Sequence, residues 1–506
     1  MKKKVVLVYP GLAIQSGTFL QTPFSLLTIA PYLIKEGFEV VLVDTRLHHY
    51  RTILRQVIDE NTLFVGITSM TGSQIVSAIE VSKYIKTISK VPVVWGGIHS
   101  TLLPDQVIRE PFVDYVLAGE GEINIGPFAH SISENKPPEN INGVYFKRKG
   151  EVAATPQQGF FDLSKSLIPA WDLIDNDQYN NIGLQTGRGC PYPCTYCYNI
   201  EFNQQRWRTK PLELIFEEIH YLMNRFRLDS LFFYDDNFFT NKKRVEDICR
   251  FLIDNKYQVK WYTTCRADYF TRYGKDFFKL VRESGCETLA LGLESGSQRI
   301  LDQIKKMEKI EDYINMARIT SEVGIVPECG FMIGIPGETD EDRRMTFDLM
   351  DRLIKINPKA YVTSLAIYTP YPGAPLIKTI ERDYNFKMPQ HLSDWCTFDF
   401  HSCNLAWLNK KEKKRLVTMS YVPRFVFWKQ KLKERYITGP LLPFYYVMTF
   451  LAGLRWKNRF FSLSFEYSLL QKFLRLRQNL NLKKIMRFAR TAKARRSVAC
   501  TERRAA

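Results

Sequence analysis

No cysteine precedes Cys190 in this 506-residue chain. Everything upstream is therefore excluded as the seat of a cysteine-held metal centre. The opening MKKKVVLVYPG lacks the apolar run and cleavage site of a secretory signal. A reduced, cytoplasmic compartment is expected, not a disulfide framework. There is no internal repeat at solenoid period and no long low-complexity linker. Aspartate is absent from Lys410 onward, where 25 Lys and Arg face 4 Glu, a net +21. The whole chain carries +18, so the remainder is near −3 (18 − 21). Basicity thus belongs to the C-terminal region alone. No RNA-binding module is recognisable there, so nucleic acid is not an expected partner.

What is present is enough chain for two or three domains, with 45 % hydrophobic residues to fill their cores. The first 135 residues alternate apolar strand runs (KVVLVYP, VVLVD, LFVGITSM, VPVVWGG, DYVLAG) with helical periodicities. That alternation predicts a parallel, doubly wound, Rossmann-like sheet, whose ligands bind at the carboxyl ends of the strands. Those ends are rich in small residues: Ser69, Thr71, Gly96, Gly97 and Gly119, followed by Glu120. Residues 136–180 read as a connector with a hairpin turn at RKG. From 181 to 385 strand–helix alternation resumes with six units, predicting a partial (β/α)6 TIM barrel with its site at the strand C-terminal ends. The chain is therefore α/β, with a helical basic region over 386–506.

The barrel opens on GRGCPYPCTYCYN, which carries Cys190, Cys194 and Cys197 as C-x3-C-x2-C. A structural zinc site closes its shell with four ligands, and the next cysteine, Cys249, lies in an apparent helix. Cubane iron–sulfur clusters are held by cysteine thiolates. Three thiolates leave one iron open for chemistry. Cys265, Cys286, Cys329 and Cys500 are scattered; Cys396 and Cys403, in DWCTFDFHSC, are the one further pair near enough to consider for a metal.

This loop, with the aromatic Tyr196 just before its third cysteine, resembles the signature of radical SAM enzymes. GGIHSTLLPD and DYVLAGEGE resemble the cobalamin-binding domain that precedes many such barrels. The resemblance covers about residues 1–385. It implies a 4Fe-4S cluster on Cys190, Cys194 and Cys197, with SAM chelated by the open iron and cleaved to a 5′-deoxyadenosyl radical. It implies SAM contacts from Tyr196 and, at the second strand end, from Asp235 and Asp236, for which a helix N-cap is the other reading; at the third, Arg266 either holds a carboxylate by a forked ion pair or pairs with a neighbouring acid. It adds Glu294 and Ser295 in GLESGS, and Ile333 and Ile335 in MIGIPGET. Ser69, Thr71, Gly96, Gly97, Gly119 and Glu120 are the implied cobalamin contacts. The family's Asp-x-His-x-x-Gly stretch is replaced by DTRLHHY, so His48 and His49 are expected in a surface loop, with no histidine on cobalt. Tyr368 and Tyr371 fall on the expected substrate side.

The expected activity is methylation of an unactivated carbon; the alternative is oxidative cyclisation or rearrangement without net methyl transfer. Cysteine-free residues 1–189 argue against an RNA methylthiotransferase, whose further cluster lies upstream of the barrel. A flavodoxin or ferredoxin is the expected reductant, and a small or lipid-like molecule the expected substrate. Ile437–Leu454 is uncharged for 18 residues but contains Pro440 and Pro443. A helix packed in a core is the first reading. Its basic, aromatic flanks fit a helix lying on the inner face of a membrane; a full span is the third reading.

Overall fold

The computed structural model describes residues 2–11, 20–179, 182–398, 404–427 and 442–462. The chain forms two compact units, residues 1–408 and 409–506.

In the first unit, seven strands make one sheet in the order β2-β1-β3-β4-β5-β6-β7. They are β1 (Lys4–Tyr9), β2 (Glu39–Asp44), β3 (Thr62–Thr68), β4 (Val93–Gly96), β5 (Tyr115–Leu117), β6 (Val144–Arg148) and β7 (Glu151–Thr155). The first five are parallel. Their near-continuous apolar runs are what a sheet covered by helices on both faces requires. Strand order reverses at β1 and β3, the crevice where such sheets bind ligands.

The last two strands correct a boundary. β6 pairs antiparallel with β5, and β7 with β6. The hairpin expected in a connector after residue 135 is therefore the edge of the first sheet. Its turn, Lys149-Gly150, has positive φ at both residues, the geometry of a tight two-residue hairpin.

The second sheet is all parallel, ordered β15-β14-β13-β12-β11-β8. Its strands are β8 (Ile182–Leu184), β11 (Ser230–Phe233), β12 (Lys260–Cys265), β13 (Cys286–Glu294), β14 (Val326–Ile333) and β15 (Tyr361–Ile367). β8 and β15 are its edges, so the barrel is partial. A short ladder, β9 (Gly187–Arg188) with β10 (Arg208–Thr209), follows β8. Beyond the barrel, the short helix Leu392–Thr397 returns to the first sheet's helices. Trp395 is fully buried there and donates to Gln106 Oε1 at 2.7 Å. The segment after 385 thus belongs to the first unit as far as residue 408, not to the basic region.

In the second unit, the helix Lys410–Phe427 packs on the helix Leu442–Lys457. Among the described residues no helix is long and apolar enough to cross a membrane. Pro440, Cys403 and Cys500 lie outside the described residues, as do 437–441 of the uncharged run. Cys396 carries a free, half-buried thiol.

Candidate active site

The cysteine loop leaves β8 through Gly189, at φ 84°. A Cβ there would meet Arg206 O at 2.0 Å, so only glycine fits. Gly189 N donates to Asp236 Oδ2 at 2.8 Å, tying the loop to the end of β11. Cys190, Cys194 and Cys197 line one cavity of about 340 Å³ with Tyr196, Asp236, Asn237, Arg266 and Lys306. Asn237 Nδ2 points at Cys190 Sγ (3.5 Å) and Arg266 Nη1 at Cys194 Sγ (3.8 Å). Burial raises the Cys194 thiol and pushes Cys197 up to about 12. Among the described residues no three His, Cys, Asp or Glu side chains converge on one metal ion. A cubane does not ask that of them, since each cysteine takes a different iron. Three sulfurs on one cavity wall, two of them facing N–H donors, fit such a cluster.

The sequence-predicted SAM residues divide. Tyr196 lines the cavity and donates to Glu294 Oε1 at 2.9 Å. Burial, and then Glu294, lift the Tyr196 phenol well above its usual value. Glu294 sits at φ 64°, where the β13–β14 register shifts. A left-handed non-glycine residue is strained, and such residues cluster at functional sites. Asp236 lines the cavity. Asp235 does not: it is buried, accepting from Thr186 N (2.7 Å) and Thr186 Oγ1 (2.6 Å), and pairs with Arg244 at 3.3 Å. Ser295 is fully buried against Thr346 and accepts from Ser297 N, a turn-forming role. Ile333, the last residue of β14, and Ile335, just past it, are buried outside the cavity wall. Tyr368 is buried as well and lines neither cavity described here.

Arg266 lines the cavity with its donors already committed. Nε donates to Asp268 Oδ1 (3.0 Å) and Nη2 to Lys306 O (2.7 Å), and the guanidinium lies 3.6 Å from the Tyr192 ring centroid. The cation that sequence reasoning missed is Lys306. It is 5 % exposed, and its Nζ lies 3.6 Å from both Glu294 Oε1 and Glu308 Oε2, beyond hydrogen-bond length. Burial pulls its ammonium down, but Glu308 and then Glu294 outweigh it and hold its pKa above the usual lysine value. Glu308 is fixed by Ala267 N (2.8 Å) and Tyr313 Oη (3.1 Å).

A second cavity, about 370 Å³, opens at the ends of β3, β4 and β5. Gly96, Gly97, Gly119 and Glu120 line it, with Arg188, Tyr198, Tyr234 and Asp236 from the barrel side. Gly97 has φ 90°, and a Cβ on it would meet Ser69 O at 2.7 Å. Backbone can therefore approach a flat ligand closely here, which fits a corrin. Ser69 and Thr71 do not line it. Ser69 Oγ donates to Gly96 O (2.8 Å), and Thr71 Oγ1 is 2.9 Å from His99 Nδ1; both brace the loops that carry the glycines. Glu120 Oε1 accepts from Arg188 (3.0 Å) and Arg208 (2.8 Å), and its Oε2 from Arg208 Nη1 (3.1 Å) and Phe161 N (2.6 Å), so it joins sheet to barrel instead of offering a free carboxylate. His48 and His49 are exposed and line neither cavity. Asp44 and Arg46 form a forked pair at that strand end.

Residues 13–125 match the B12 binding domain family model and residues 184–350 the Radical SAM superfamily model. An uncharacterized methyltransferase of Pyrococcus horikoshii is 32 % identical over 320 residues, 62 % of this chain and 68 % of that one. This chain is a cobalamin-binding radical SAM enzyme. Another relative of this radical SAM enzyme is the anaerobic magnesium-protoporphyrin IX monomethyl ester cyclase of Rubrivivax gelatinosus, 25 % identical over 71 % of this chain and 68 % of that one. The fold is shared with the cobalamin-dependent S-adenosylmethionine radical enzyme OxsB, solved with aqua-cobalamin and S-adenosylmethionine (TM-score 0.73, 17 % identity, 94 % of this chain, 75 % of that one). The cofactors of this radical SAM enzyme are accordingly a 4Fe-4S cluster, SAM and cobalamin.

Proposed function

We propose that this enzyme methylates an unactivated carbon, with the substrate seated where the two cavities meet. The observation that carries this reading is Asp236, a single carboxylate lining both the cysteine cavity and the glycine cavity. A carbon that must be reached from a radical source on one side and a methyl carrier on the other belongs at such a junction. When bound, the cluster supplies the electron that cleaves SAM and cobalamin carries the methyl group.

The chain's own residues have defined parts in this proposal. Cys190, Cys194 and Cys197 hold the cluster, with Asn237 and Arg266 turning N–H groups toward two of the sulfurs. Glu294, oriented by Tyr196, meets the SAM amino group. Lys306, not Arg266, meets its carboxylate. Gly96, Gly97 and Gly119, all in the first sheet's part of the chain, would receive the corrin, with no part for His48 or His49. Asp236 orients the substrate between the two cofactors. A flavodoxin or ferredoxin is the proposed reductant. The proposed setting is the cytoplasm, with contact at the inner face of the membrane through the basic region.

The test uses the reconstituted, reduced enzyme with SAM and no substrate. S-adenosylhomocysteine should form at about one equivalent per cobalamin, beside slow 5′-deoxyadenosine. Release of 5′-deoxyadenosine with no S-adenosylhomocysteine would replace methylation by the cyclisation reading, which the Rubrivivax relative favours.

A further inference from the structure

The helix Leu442–Lys457 has two unlike faces. Tyr445, Met448, Ala452 and Trp456 are buried. They are turned toward the helix Lys410–Phe427, with ring contacts Phe425–Tyr445 (6.5 Å) and Phe427–Trp456 (5.2 Å). Val447, Phe450 and Leu454 are 54, 66 and 44 % exposed. They are spaced three and four apart, so they form one continuous stripe, with exposed Tyr446 at its border. Scattered exposed apolar residues need no explanation, but a contiguous stripe marks an interaction site.

Charge identifies what fits the stripe. From Lys410 onward the chain carries 25 basic and 4 acidic residues. Lys410, Lys411 and Lys414 are exposed at the start of one helix, and Lys457 at the end of the other. A second copy of this chain would set +21 against +21. A nucleic acid would answer the charge and leave the stripe in water. No described helix is long and apolar enough to cross a bilayer, so a span does not account for it either. An apolar helix face beside excess Lys and Arg is the chemistry of a helix lying in the interface of an anionic membrane.

We propose that this face docks on an anionic bilayer. Val447, Phe450 and Leu454 enter the headgroup–acyl boundary, and the basic side chains lie among the headgroups. The proposal deepens and rests on the membrane contact proposed above, stands on the second unit alone, and is independent of the chemistry assigned to the barrel.

The test is flotation of the full-length reconstituted enzyme with vesicles of phosphatidylcholine, and of phosphatidylcholine mixed with phosphatidylglycerol. Wild type should float with the mixed vesicles, much less with the neutral ones, and less as ionic strength rises. The Val447→Asp/Phe450→Asp pair should lose at least about tenfold in vesicle affinity, because each large side chain withdrawn from water contributes more than the ~1.4 kcal/mol of a factor of ten. Far-UV circular dichroism should not change, which controls for folding of the helix that carries the pair. Phe450→Leu should bind as wild type does, and the single Phe450→Ser should fall between if the pair fails to fold. Equal binding to both vesicle types, absence of binding to either, or full retention by the Asp pair would overturn the proposal. So would a lipid-free dimer that the Asp pair dissolves.

Discussion

The two sheets of the first unit place their cavities in the same position, at the carboxyl ends of parallel strands, yet build them from opposite materials. The first sheet offers glycine backbone, with Gly97 folded so tightly that no side chain fits. The barrel offers thiols and a buried set of charges: Lys306, Glu294, Glu308, Arg266 and Asp268. A large, flat, weakly charged cofactor calls for close backbone approach. A zwitterion and an iron cluster call for fixed charge in a low-dielectric cavity, where electrostatic interactions are strongest. Topology supplies the location; the residue types at the strand ends supply the chemistry.

If that contrast is real, the two cavities can be broken separately. The largest effect is expected from Cys190→Ala, Cys194→Ala or Cys197→Ala. Each should abolish loading of the about four irons expected of a cubane, while cobalamin still binds; full loading in Cys197→Ala would refute the cluster assignment. Gly97→Val is the converse. It should prevent cobalamin uptake, read from the visible absorption spectrum, while iron content stays at wild type.

Within the barrel, Lys306→Ala should weaken SAM binding about 10- to 100-fold, the range for losing a hydrogen bond between charged groups. Equilibrium dialysis with the cluster loaded would measure it. An Arg266→Lys effect larger than that of Lys306→Ala would return the carboxylate to Arg266.

A smaller, pH-dependent effect should come from the first sheet. Burial pulls His99 from 6.5 down to about 4. The unfolded chain then takes up a proton that the folded chain refuses. Stability from this site is complete above pH 6.5 and is lost as pH falls toward 4, by at most about 3 kcal/mol. His99→Gln should flatten the fall in thermal midpoint between pH 7 and 5. The smallest effect is none at all: His48→Ala and His49→Ala should bind cobalamin as wild type does.

Much of this was legible in the sequence, and its failures share a cause. The strands could be read because fully buried strands are continuous apolar runs, and the cysteine loop because its spacing is specific. Polar residues at strand ends were harder. Asp235, Ser295, Ser69 and Thr71 brace the walls from behind, whereas Asp236 and Tyr196 face inward, and one-residue differences in facing leave no compositional trace. Lys306 was hidden in IKKMEK, which reads as a solvated charged run; only folding buries it. The hairpin at 144–155 was seen as a hairpin, but its pairing with β5 is a long-range fact that neither segment states.

The ion pairs joining Glu120 and Glu122 to Arg188, and Glu120 to Arg208, also bear on divisibility. Glu120 and Glu122 are each 5 % exposed, and their counter-charges come only after residue 180. A fragment ending before Arg188 would leave both carboxylates without the partners that hold them. Grafting the corrin-binding half onto another barrel therefore breaks this joint unless both arginines travel with it.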